Sequence, residues 1–126
     1  MIFPVVPHVV NNTVYEVSGK VRANRAIRNA NKRLQLAKIN SQSQQDFILN
    51  LLSAYHFGEV FIGLNDRVQA NGLVWQDGSA ISYSNVPLGQ VARQPGRLCF
   101  ALKMDGYWFR RDCSSMRNAL YQRQGM

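Results

Sequence analysis

Acidic side chains are few in this chain of 126 residues, seven Asp and Glu against fifteen Lys and Arg, for a formal net charge of +8. One long stretch, from Gly78 to Met104, contains none, so it lacks the carboxylates that a calcium site gathers. Histidine occurs only as His8 and His56 and cysteine only as Cys99 and Cys113, too few to build a zinc site. The two cysteines stand too far apart for a redox pair; one disulfide or two free thiols both fit. No apolar run reaches the ~18 residues of a membrane span, so no membrane insertion is expected. Met1 to Val10 has two prolines and no basic start, and does not read as a signal sequence. Nucleophile motifs, paired carboxylates and phosphate-cradling glycine loops are missing too, so neither an enzyme nor a cofactor is expected.

What the chain does have is enough apolar matter for one core, 46% hydrophobic and 10% aromatic, and too little length for two domains. Eleven of the fifteen basic residues are Arg, whose planar fork of donors suits carboxylate, sulfate or phosphate. An Asn11-Asn12-Thr13 sequon is a weak hint of secretion.

Met1 to Asn12 has no period and reads as an arm that can pair at a sheet edge, with the arm spanning residues 1–13 and the domain proper 14–126. Val14 to Val17 predicts a short strand ending at Ser18-Gly19. Ala26, Ile27, Ala30 and Leu34 recur at spacings of three and four, which predicts a first helix from about Ala23 to Lys32. Ser41 with Gln44 forms a capping box ahead of Phe47, Ile48, Leu51 and Leu52, the start of a second helix. Val60 to Leu64 begins a second half of strands and turns. Residues 82–97, with two prolines and two glycines, predict a long loop, usually the working surface of a small domain. A hairpin around Met104-Asp105-Gly106 and one more short strand close an α+β domain.

Val60-Phe61-Ile62-Gly63-Leu64-Asn65-Asp66 resembles the WIGL strand and Asn-Asp turn of the C-type lectin-like domain, with Phe61 in place of Trp. Val74-Trp75-Gln76-Asp77-Gly78 is similar to the family's W-x-DG turn, Tyr83-Ser84-Asn85 to its Y-x-N, and Cys99, Gly106-Tyr107-Trp108 and Cys113 to its C...G-x-W...C ending. Leu36 to Ser41 resembles the segment before helix two, so the likeness runs from about Val14 to Gln122. It implies a C-type lectin-like fold of two helices, small antiparallel sheets and a long irregular ligand loop. It also implies a Cys99–Cys113 disulfide, which constrains the unfolded chain by ~3 kcal/mol. Ala30 and Tyr121 stand where a second disulfide would fall. Trp75 and Trp108 are expected in the core with their indole N–H groups satisfied.

Sugar-binding relatives hold calcium with an acidic triplet in the long loop and an Asn-Asp after the strand Trp. Here those positions are Gln90-Val91-Ala92 and Phe109-Arg110, so no metal is expected. Arg93, Arg97, Arg110 and Arg111, with Tyr107 and Phe109 beside them, are expected to form a ligand surface. Arg22, Arg25, Arg28 and Lys32 share one face of the first helix. These features predict a secreted or surface recognition module that binds an anionic glycan or an acidic protein patch without calcium. The alternative is a protein-binding or self-assembling homo-oligomer that uses the loop and the arm. The disulfide and the extracellular family weigh against a nucleic-acid partner.

Overall fold

The computed structural model describes residues 8–10, 12–29 and 34–124. Strand β1 (His8–Val10) pairs antiparallel with β2 (Thr13–Val17). A two-residue strand β3 (Val21–Arg22) leads directly into helix α1 (Ala23–Asn29), and β4 (Gln35–Leu36) precedes helix α2 (Gln42–Ala54). Strand β5 (Val60–Asn65) is followed, after the long loop, by β6 (Cys99–Leu102), β7 (Trp108–Arg111) and β8 (Met116–Gln124).

The last strand is the hub of the sheet. The sequence predicts it short, yet it runs nine residues and pairs with β2, β3 and β4 antiparallel and with β5 in parallel. The sheet order is β1-β2-β8-β5-β6-β7, mixed where the turn signals alone suggested antiparallel pairing throughout. That one parallel contact joins β1-β2-β8 to β5-β6-β7 in one sheet.

Helix α2 starts where the cap predicts: the Ser41 hydroxyl accepts from the Gln44 amide at 3.2 Å. Ile48, Leu51 and Leu52 are buried along one face, against Val60, Ile62 and Leu64 of β5 and both tryptophans. Gly63 lets β5 pass close to β4, since a Cβ would lie 3.1 Å from the Leu36 carbonyl, tighter than an ordinary contact. Its own N–H donates to Ala37 O at 2.9 Å. A second cluster gathers Ala23, Ala26, Leu36, Phe61 and the two cysteines. The disulfide joins Cys99 and Cys113 with Cα atoms 5.2 Å apart; Cys99 starts β6 while Cys113 lies two residues beyond β7. The Asn24 amide donates to the Cys113 carbonyl at 3.0 Å, fixing the first turn of α1 to the disulfide.

The long loop begins and ends on this frame. At its start, Asn85 donates through Nδ2 to Gly106 O at 2.7 Å and accepts from the Trp108 amide at 3.0 Å. Buried Gln45 takes the Trp108 indole N–H at 3.1 Å and bonds Gly106 O as well. The other tryptophan departs from expectation. Trp75 is packed edge-to-face with Trp108, ring centres 5.4 Å apart, and its Nε1–H finds no acceptor among the described residues.

Candidate functional site

Strand β7 sets the site through the two-residue period of a strand. Trp108 is buried in the core, so Arg110 points the same way, while Phe109 and Arg111 face outward half-buried. Arg110 is 0% exposed, which corrects its assignment to the ligand surface. An unpartnered guanidinium there would be very unfavourable, and the fold supplies partners for it. Nε donates to the Gln90 carbonyl at 2.7 Å, Nη1 to Asp66 Oδ1 at 2.8 Å and to the Arg97 carbonyl at 3.0 Å. Nη2 donates to Asp66 Oδ2 at 2.7 Å and to the Val91 carbonyl at 3.1 Å. These bonds occupy the full donor set of the side chain. Arg110 therefore ties three points of the long loop to Asp66, itself 3% exposed. The Gln90 side chain completes the lock by accepting from the Arg110 amide at 2.8 Å.

Arg111 is also partnered. Its Nε and Nη2 donate to the two oxygens of Glu59 at 2.8 and 2.9 Å, and Arg117 donates to the same carboxylate. The Arg111 hydrogen bonds hold the Glu59 carboxyl below the usual carboxylate range, burial opposes, and Arg117 adds to the lowering. The same pair raises the Arg111 guanidinium. Arg97 is exposed and forms no ion pair among the described residues, and Arg93 spends one N–H on the Asp66 carbonyl at 3.1 Å. Arg97, Arg111 and Arg117 line one cleft of about 480 Å³ with Glu59 and Asp112. Tyr107 is 49% exposed, and the Phe109 ring carries Lys103 Nζ at 4.3 Å from its centre. Of the arginines expected at this surface, Arg93, Arg97 and Arg111 keep donors outward or partly outward, and Arg110 does not.

Of the residues expected on one helix face, Arg25 and Arg28 stand on α1, whereas Arg22 ends strand β3 just before the helix, because the chain is still paired with β8 there. Arg22, Arg25 and Arg28 are exposed and line a cleft of about 410 Å³ with Asn24 and Arg67. Lys32, expected on the same face, and Ala30 lie outside the described residues. Arg67 was not singled out by the sequence; it stands just after the Asn-Asp turn, and nothing local points to helix α1. Asp66 and Glu59 were missed for the same reason, since their partners lie 44 and 52 positions away. The inward turn of Arg110 was legible: it is two residues from a core tryptophan.

A calcium ion takes six to eight oxygen ligands. Among the described residues no three His, Cys, Asp or Glu side chains come together. The loop carbonyls of Gln90, Val91 and Arg97 and the Asp66 carboxylate already meet a cation, the Arg110 guanidinium. These residues do not fit the ion.

The family model described as the lectin C-type domain matches residues 29–120. The low affinity immunoglobulin epsilon Fc receptor of Mus musculus is 31% identical over 86 residues, covering 68% of this chain and 25% of that protein. The Homo sapiens receptor of the same name is 35% identical over 75 residues, 59% of this chain and 22% of that protein. The chain thus spans about a quarter of the length of these relatives. Among solved structures, the mouse scavenger receptor C-type lectin carbohydrate-recognition domain superposes with a TM-score of 0.82 at 26% identity, covering 98% of this chain and 97% of that one. A calcium-independent type II antifreeze protein has the same fold, with a TM-score of 0.83 at 18% identity over 100% of this chain and 98% of its own. The motifs, the fold and the match over residues 29–120 agree: the chain belongs to the C-type lectin domain family.

Proposed function

We propose that this domain is a non-catalytic recognition module, secreted or displayed at the cell surface, that binds an anionic glycan through arginines without calcium. The observation that carries this reading is the interior position of Arg110. A guanidinium bonded to Asp66 and to three loop carbonyls does what a bound cation does elsewhere, drawing loop oxygens together from a fixed centre. With the loop held that way, Arg97, Arg93 and Arg111 offer sulfate or carboxylate groups their remaining donors. Exposed Tyr107 and the outward Phe109 give sugar rings an apolar face beside them. Secretion is supported by the Cys99–Cys113 disulfide, a bond that persists in oxidising compartments. No helix among the described residues is long and apolar enough to cross a membrane.

The test is retention on a heparin resin with calcium and with a chelator. The domain is expected to elute above roughly physiological salt in both, and Arg97→Ser with Arg93→Ser to elute earlier. Elution below that strength, or any change on chelation, contradicts the proposal.

A second reading is favoured by one feature: Leu88, 92% exposed, and Val91, 46% exposed, stand on the same loop. Apolar groups so presented suit a protein partner or a second copy of the chain. Light scattering on the chain and on Leu88→Ser separates the two, since a monomer in both cases removes self-assembly.

A further inference from the structure

The cleft of helix α1 and the cleft of the long loop are joined. The first, lined by Arg22, Arg25, Arg28 and Arg67, shares Asn24 and Arg67 with a second of about 400 Å³. The second shares Asp112 with the third, and its Gly96 is the chain neighbour of Arg97 in that third cleft. The apolar side chains lining the middle section are Val68, Leu98 and Cys113 of the disulfide. None of Arg22, Arg25, Arg28 and Arg67 forms an ion pair among the described residues, whereas Arg110, Arg111 and Arg117 do. Charge of one sign is thus concentrated at the α1 end, separated by the apolar groups of the middle section from Arg97 at the other. Among the described residues no aromatic side chain lines these clefts.

From this arrangement we infer that a linear sulfated polysaccharide runs from the long loop across the disulfide onto helix α1, with Arg67 as the bridge between the two basic ends. The inference rests on the proposed function and extends it, from one anionic sugar at the loop to a chain that spans two sites. Saccharide rings present C–H faces to apolar groups and sulfates at intervals to arginines, which matches the alternation of the track. A single-stranded nucleic acid would need aromatic platforms for its bases, and the described residues of the track supply none. Asp112 is the unfavourable element, a carboxylate on the path at the junction of the second and third clefts.

The experiment compares a sulfated disaccharide with a heparin oligosaccharide several times longer, by calorimetry on the full chain and on Arg25→Ser/Arg67→Ser. Two linked sites predict that the longer ligand binds about tenfold tighter or more. In the variant that ratio falls towards one, and the slope of log affinity against log salt becomes shallower by about two, one for each arginine removed. An unchanged ratio in the variant overturns the track. Equal affinity for both lengths in the native chain overturns it too, while disaccharide binding leaves the loop site standing. Binding of neither ligand overturns both. Duplex DNA that binds as tightly as heparin at equal salt overturns the assignment to polysaccharide.

Discussion

Arg110 and Arg25 are the same side chain put to opposite uses. Arg110 sits on the inward face of a four-residue strand, and its charge is consumed by Asp66 and the loop carbonyls. Arg25 stands on a seven-residue helix among Arg22, Arg28 and Arg67, with no carboxylate among the described residues of its cleft. A count of basic residues treats these as equal. The difference shows that a net charge of +8 says little until each cation has been matched to its acids, and that the charge left over lies more at α1 than in the loop.

The largest effect should come from breaking the buried pair. Asp66→Ala leaves the Arg110 guanidinium without its carboxylate in a dry site, with an expected loss of about 3–5 kcal/mol; urea unfolding measures it. A loss below about 1 kcal/mol would mean that water reaches the pair and that the contrast with Arg25 is overstated.

Next is the disulfide. Replacing both Cys99 and Cys113 by Ser is expected to remove about 3 kcal/mol. Because Asn24 N–H bonds the Cys113 carbonyl, amide exchange in α1 should accelerate in the same variant; unchanged exchange there would separate the helix from the bridge.

Glu59 tests the intermediate case, a carboxylate shared by two half-buried arginines. Glu59→Gln is expected to destabilise by about 1 kcal/mol, since solvent screens a pair so placed. The Arg111 hydrogen bond lowers the folded pKa of Glu59, so its contribution is complete above the ordinary value of about 4.3 and fades as pH falls through the lowered one. Native and variant stabilities should therefore converge as pH falls through the lowered folded value, and a gap that stays constant with pH would contradict the assignment. The same variant releases Arg111 and Arg117 and should bind heparin more tightly.

Smallest in stability is Arg25→Ser, expected within about 0.5 kcal/mol of the native chain while shortening heparin retention. A large stability loss would show that Arg25 has a structural partner, and the comparison with Arg110 would fail.

Much of this was written in the sequence. The Ser41 cap, the strand at Val60, the order of short motifs and the cysteine pair lead to the fold, because each is a local signal or a fixed spacing. Strand alternation from Trp108 even indicates that Arg110 points inward, yet the acid that receives it lies 44 positions upstream. Pairings such as Arg110 with Asp66, Arg111 with Glu59 and Arg67 with the α1 face are set by tertiary approach and leave no local trace. The length of β8 was hidden for a similar reason: Arg117, Asn118, Gln122 and Arg123 break its apolar pattern, and only pairing with four other strands sustains it.

The most direct measurement is the thermal midpoint of the native chain and of Arg110→Met, each with millimolar calcium and with a chelator. If the guanidinium is the cation that holds the loop, calcium leaves the native midpoint unchanged and Arg110→Met lowers it by about 10 °C, the equivalent of roughly 3 kcal/mol at this size. A native midpoint that rises with calcium, as ligand binding to the folded state requires, or an Arg110→Met midpoint equal to the native one, would contradict that role.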